Sequence, residues 1–113
     1  MENDKILDAL FFALADANRR RILTEISEGP KTVGALACQF DLTIGAISKK
    51  IAILEKAGLV FKRKRGRQVF CYMNFDQLHE IAKFTAMHVK FWENRLDELE
   101  TYINIPNRMG DPL

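Results

Sequence analysis

Apolar side chains recur every three or four residues through most of this chain and alternate over one short stretch. That pattern predicts helices with a single β-hairpin. Leu7, Leu10, Phe11 and Leu14 make the first helical stripe, widened by Ile6, Ala9 and Ala13, with Asn3 or Asp4 as its cap. Asp16 caps a second helix reaching about Ser27, with Ile22, Leu23 and Ile26 on its core side, and Glu28-Gly29-Pro30 stops it. Thr32 begins a third helix whose apolar edge is Val33, Leu36, Ala37 and Phe40. After the short turn Asp41-Leu42, Thr43 caps a fourth helix in which Ile47, Ile51 and Leu54 share one face, and Gly58 ends it.

From Leu59-Val60-Phe61 the period falls to two. The run Lys62–Arg67 is basic at every position except Gly66, and Gln68–Tyr72 returns, with Val69, Cys71 and Met73 on one side and Phe70 and Tyr72 on the other. Arg65-Gly66 reads as the tip, because glycine tolerates the positive φ of hairpin turns. A last helix runs from about Phe75 to about Asn104, roughly 45 Å long. Its stripe is Leu78, Ile81, Ala82, Thr85, Val89, Trp92, Leu96, Leu99 and Ile103, widened by Phe84, Met87 and Phe91. The fold class is mainly α with a small β-hairpin, in the order α-α-α-α-β-β-α. Two helices on a tight turn followed by a basic hairpin form the winged helix-turn-helix arrangement. Residues 1–104 read as one domain for DNA binding and dimerisation, and 105–113, with two prolines and a glycine, as a flexible tail.

Charge separates the centre from its flanks. Residues 32–73 hold eight Lys/Arg and two acids, eight minus two or +6, while the whole chain is +2, so the flanks carry −4. A basic centre on a near-neutral protein suggests a polyanion-binding patch, most often for DNA. On the fourth helix Gly45, Lys49, Ala52 and Lys56 point away from the apolar face, with Ser48 at its margin. Small residues let a backbone approach, and Ser and Lys supply donors. On the second helix Arg19 projects to the core side, where a structural ion pair is its expected role, and Arg20 and Arg21 point outward as a solvated face or toward phosphate.

At 113 residues, 48% apolar and 28% charged, the chain suits a single globular domain and not a disordered one. The last helix carries more apolar surface than one small core covers. It and the first helix are therefore expected to form a symmetric dimer through Ile6, Leu7, Leu10, Phe84, Met87, Phe91, Trp92 and Leu99. No apolar run approaches the ~18–20 residues of a membrane span, and the acidic start does not read as a signal peptide. Two cysteines are too few for a disulfide framework, which leaves the reducing cytoplasm as the expected location.

The stretches ALADANRRRIL (13–23), TVGALACQFDLTIGAISKKIAILEKAGLV (32–60) and RKRGRQVFCY (63–72) resemble the ArsR-type winged-helix repressors, and FWENRLDELE (91–100) is similar to the last helix of one branch of them. The resemblance implies a cytoplasmic homodimer that represses transcription by occupying an inverted-repeat operator in double-stranded DNA. It implies recognition-helix contacts at Thr43, Ile44, Gly45, Ser48, Lys49 and Lys50 and a wing tip at Arg65, Gly66 and Arg67, and the basic run adds Lys62, Arg63 and Lys64 to the expected DNA-contacting wing. The chain departs from the family at the metal sites. Thr32 and Gly34 stand where metal sensors place a Cys-x-Cys pair, and Asp76, His79, His88 and Phe91 break the alternative Asp-x-His with His-x-x-Glu pattern. Gly45 stands where the family often has Pro, and Lys50 where it often has His.

Four other functions fit the residues less well. Metal sensing is disfavoured because His79 and His88, nine residues apart, point to opposite sides of one helix and cannot share an ion within one chain, and a site between chains would still need three or four convergent ligands for zinc. Thiol sensing would use Cys38, off its helix's apolar edge, or Cys71, expected to face inward, with basic neighbours lowering a thiol pKa. An interaction module with no DNA role would put aromatics and leucines on the outward face of the fourth helix, not Gly, Ser and Lys. No Ser/His/Asp or Cys/His arrangement, phosphate-cradling loop or carboxylate pair points to an enzyme. No cofactor, metal or obligate small molecule is called for.

Overall fold

The computed structural model describes residues 2–103. Its elements are α1 (Glu2–Ala13), α2 (Ala17–Ser27), β1 (Lys31–Thr32), α3 (Val33–Phe40), α4 (Ile44–Lys56), β2 (Val60–Arg65), β3 (Gln68–Met73) and α5 (Phe75–Ile103). They fall into two compact units, Met1–Ile81 and Ala82–Leu113. The tail expected over 105–113 lies outside the described residues.

Three of the helix starts are capped by the residue types that cap in isolation. Asp16 accepts the Arg19 N–H through its carboxylate at 3.0 Å, Thr32 accepts the Ala35 N–H through Oγ1 at 3.1 Å, and Thr43 accepts the Ala46 N–H at 3.0 Å. Each bond satisfies one backbone donor that the helix itself leaves unpaired. The first helix differs from expectation: it already includes Glu2, so Asn3 and Asp4 stand inside it and do not cap it.

α3 closes on Asp41, a left-handed residue at φ 54°, and the Leu42 N–H returns to Ala37 O at 3.0 Å. That compact reversal sets α4 directly after α3. α4 ends similarly, with Gly58 at φ +82° and the Leu59 N–H on Leu54 O at 3.0 Å. A side chain at Gly58 would strain that left-handed backbone, and its Cβ would stand 3.2 Å from Gln77 Cγ, so the Gln77 side chain would have to shift.

Behind α4 lies one core. Leu10, Ala13, Ile22, Leu36, Ile47, Ile51, Leu54, Leu59 and Cys71 are completely buried, and Leu7, Leu14, Leu78 and Ile81 pack against them. Phe11, counted in the first helical stripe, is exposed instead. The sheet has a strand beyond the expected hairpin: its order is β1-β3-β2, with Lys31 opposite Cys71 and Thr32 opposite Phe70. Two residues carry no alternation to read, and only the free edge of β3 makes them a strand. The hairpin tip also moves by one residue. Arg65 pairs with Gln68, so the loop is Gly66-Arg67, not Arg65-Gly66. Gly66 has φ +64° and Arg67 is not positive, the pattern of a II′ turn, with glycine in its first central position.

Candidate nucleic-acid interface

α4 is held from behind and presents its other side. With Ile47, Ile51 and Leu54 seated in the core, Gly45, Lys49, Ala52 and Lys56 are exposed opposite them and Ser48 is half-buried at the margin. Ile44 sits in the first turn, 62% exposed. A Cβ at Gly45 would meet only Thr43 Oγ1, at 4.0 Å, so the open space there belongs to the surface and not to the fold. Thr43 Oγ1 accepts from Ala46, which leaves its own O–H free to donate outward beside the positive end of the helix.

Lys50 behaves differently from Lys49. Its ammonium donates to Asp16 Oδ2 at 3.2 Å, and the two side chains are only 24% and 34% exposed. Three residues beyond Ile47, it lies about 60° round the helix from the core line, on the flank turned toward α2. Lys49 has no ionic or hydrogen-bonded partner among the described residues. The Asp16 carboxyl is held below its ordinary pKa, first by the Arg19 N–H, against partial burial, and then by Lys50.

The wing sorts its cations by strand register. Lys62 shares a face with buried Cys71 and reaches Glu55 at 3.5 Å. The opposite face interleaves arginine with aromatic rings. Arg63 lies over Phe61 at 4.8 Å, Arg65 over Phe70 at 5.5 Å, and Phe61 stacks on Tyr72 at 5.4 Å with 8° between planes. Such contacts hold the guanidinium plane; Arg63 also donates to Lys62 O at 3.0 Å, whereas Arg65 has no ionic or hydrogen-bonded partner among the described residues. Only the alternation of Phe61, Arg63 and Arg65 with Phe70 and Tyr72 hinted at this. Lys64 and Arg67 are exposed and have no ionic or hydrogen-bonded partner among the described residues.

Arg19 is structural, as its position suggested, but not through an ion pair. It is 9% exposed, and its guanidinium donates to Ala13 O at 2.7 Å and Phe12 O at 2.9 Å, closing the end of α1. Arg20 donates to Leu14 O at 2.7 Å, and Arg21 lies over Phe40 at 5.0 Å. Both are exposed but engaged.

Cys38 is exposed and Cys71 buried. Burial pushes the Cys71 thiol pKa up and outweighs Lys62 beside it, reversing the expectation that basic neighbours lower it. Of the residues expected at a dimer interface, Leu10 has no surface to share, because it is fully inside its own core. Leu7 and Phe84 are half-buried, while Ile6, Met87, Phe91, Trp92 and Leu99 are exposed. His88 Nδ1 lies 3.1 Å from Phe84 O. Among the described residues no three His, Cys, Asp or Glu side chains come together as metal ligands, and no helix is long and apolar enough to cross a membrane.

A helix-turn-helix whose second helix turns small and cationic side chains outward, followed by an arginine-bearing hairpin, defines a winged-helix nucleic-acid-binding protein. Residues 14–61 match the helix-turn-helix domain family. The HTH-type transcriptional regulator YuzN of Bacillus subtilis is 37% identical over 84 residues, 67% of this chain and 90% of the relative. The transcriptional repressor SdpR of the same organism is 24% identical over 90 residues, 80% of this chain and 100% of the relative. The crystal structure of the ArsR family transcriptional regulator RHA00566 superposes with a TM-score of 0.72 at 33% identity, over 80% of this chain and 93% of that one. The chain belongs to the ArsR family of winged helix-turn-helix transcriptional regulators.

Proposed function

We propose that this protein is a cytoplasmic, homodimeric repressor that occupies an inverted-repeat operator in double-stranded DNA, without a bound metal or cofactor and without enzymatic activity. The observation that carries the reading is the outward face of α4. Lys49, Gly45 and Ala52 are exposed there, while Ile47, Ile51 and Leu54 anchor the helix at zero exposure. A helix presented this way enters the major groove. Lys49 and Ser48 supply hydrogen bonds to base edges, Ile44 meets a thymine methyl, and Gly45 lets the backbone close in. The Thr43 hydroxyl and the start of α4 take a phosphate. Lys64, Arg65 and Arg67 add sequence-independent attraction through counterion release. Lys50 is left out of the contact set because its ammonium sits on Asp16.

Dimerisation is supported by the second unit. Met87, Phe91, Trp92 and Leu99 stand half or more exposed on a single helix, and an apolar face of that kind is covered most simply by a second copy. The repressor sense follows the similarity to SdpR. The test is selection of bound sequences from random duplex DNA by the purified protein in the presence of a chelator. We expect an inverted repeat whose half-site centres lie about 10–10.5 base pairs apart. No enrichment, or binding indifferent to salt, overturns the reading in favour of a protein-interaction module.

A further inference from the structure

One carboxylate does two jobs at the joint between α2 and α4. Asp16 Oδ2 takes the Arg19 N–H at 3.0 Å, capping α2, and the Lys50 ammonium at 3.2 Å, across 34 residues of sequence. Lys50 is only three residues beyond Ile47 and one before Ile51, both fully buried, so its stem rises from the margin of the core face. Asp16 is therefore the one link of charge between the recognition helix and α2 among the described residues. It also decides what Lys50 can do. A lysine beside a recognition helix that is free to move finds phosphate on any sequence, which raises binding to all DNA and lowers discrimination.

We propose that Asp16 is a specificity-positioning residue, which touches no DNA itself but withholds the Lys50 ammonium from phosphate and ties the flank of the recognition helix to the start of α2. The proposal rests on the DNA-binding reading above. Its physical content is a difference in salt dependence. Each phosphate contact steepens the slope of log affinity against log salt by about 0.9, so releasing Lys50 in both protomers of a dimer steepens it by about 1.8. Across a fourfold change in salt, that is roughly a twelvefold change in affinity for random DNA.

The test is Asp16→Asn. Asparagine caps a helix about as well as aspartate, so the start of α2 stays closed while the carboxylate charge that holds the Lys50 ammonium is lost. Fluorescence anisotropy on the selected operator and on random duplex, across a salt series, is measured for wild type, Asp16→Asn, Lys50→Gln and the double variant. The expected results are a steeper slope on random DNA and a several-fold lower operator-to-random ratio for Asp16→Asn. The wild-type slope should be kept by Lys50→Gln and restored in the double variant. Wild-type slope and ratio in Asp16→Asn overturn the proposal. So does a shallower slope in Lys50→Gln alone, which shows Lys50 on phosphate already; that variant changes a surface side chain and keeps the test open should Asp16→Asn fold poorly. Salt-insensitive binding by wild type removes the DNA reading and this proposal together, whereas normal wild-type binding with an unaltered Asp16→Asn removes this proposal alone.

Discussion

Arg19→Met removes the group that closes α1. In the native chain Arg19 Nε donates to Ala13 O at 2.7 Å in a buried position, and a terminal nitrogen donates to Phe12 O at 2.9 Å. The two acceptors fare differently when the guanidinium goes. Phe12 O keeps the Ala15 N–H at 3.1 Å, so its loss is that of one ordinary bond, about 1 kcal/mol. Ala13 is fully buried, and its carbonyl is left facing a methionine side chain, at about 1–3 kcal/mol. Methionine keeps much of the packing of the arginine stem, so a cavity adds little. The expected destabilisation is about 2–4 kcal/mol. With a urea m-value of about 1.5 kcal/mol/M, a loss of about 3 kcal/mol lowers the midpoint by about 2 M. The assay is urea unfolding of wild type and variant at one protein concentration, since the stability of the proposed dimer would depend on it. A loss under about 1 kcal/mol would refute the reasoning, because it would mean that water or a shifted backbone reaches the Ala13 carbonyl without cost.

Gly45→Ala fills open space on α4 and is expected to raise stability by about 0.5–1 kcal/mol while weakening operator binding, read by melting and anisotropy on the same samples. Arg67→Ala should weaken operator and random DNA alike and shallow the salt slope by about one per lost phosphate contact, whereas Lys49→Ala should mainly reduce discrimination between them; equal losses on both DNAs for Lys49→Ala would contradict its role as a base reader. Phe91→Glu puts a charge on the exposed apolar face of α5, and sedimentation should then show monomer in place of dimer. In native protein at neutral pH a thiol reagent should modify Cys38 quickly and Cys71 only after unfolding, since Cys71 is buried and its thiol pKa is raised. Because the folded-state pKa of Asp16 lies below its unfolded value, its contribution to stability is present above about pH 4 and is lost as pH falls through the folded value; Asp16→Asn should flatten that acid limb.

Local chemistry determined most of the fold. The caps at Asp16, Thr32 and Thr43 and the stripe Ile47, Ile51, Leu54 all stand where spacing and residue type put them, because each depends on neighbours within four positions. Glycine marked the hairpin turn to within one residue, but the partner of Arg65 had to be known before the loop could be placed at Gly66-Arg67. The tertiary structure decided what long-range approach decides. It made a strand of Lys31-Thr32 by offering the edge of β3, and it sank Leu10 into the core while leaving Phe11 outside. It turned Arg19 onto carbonyls instead of a carboxylate, and it set burial above a neighbouring lysine at Cys71. In the candidate site the resemblance counts Lys49 and Lys50 alike as DNA contacts, while the helical period sets only Lys49 on the outward face. They differ only because about 100° of helical rotation carries one toward solvent and the other onto a carboxylate 34 residues away, and no periodicity within the helix encodes that partner.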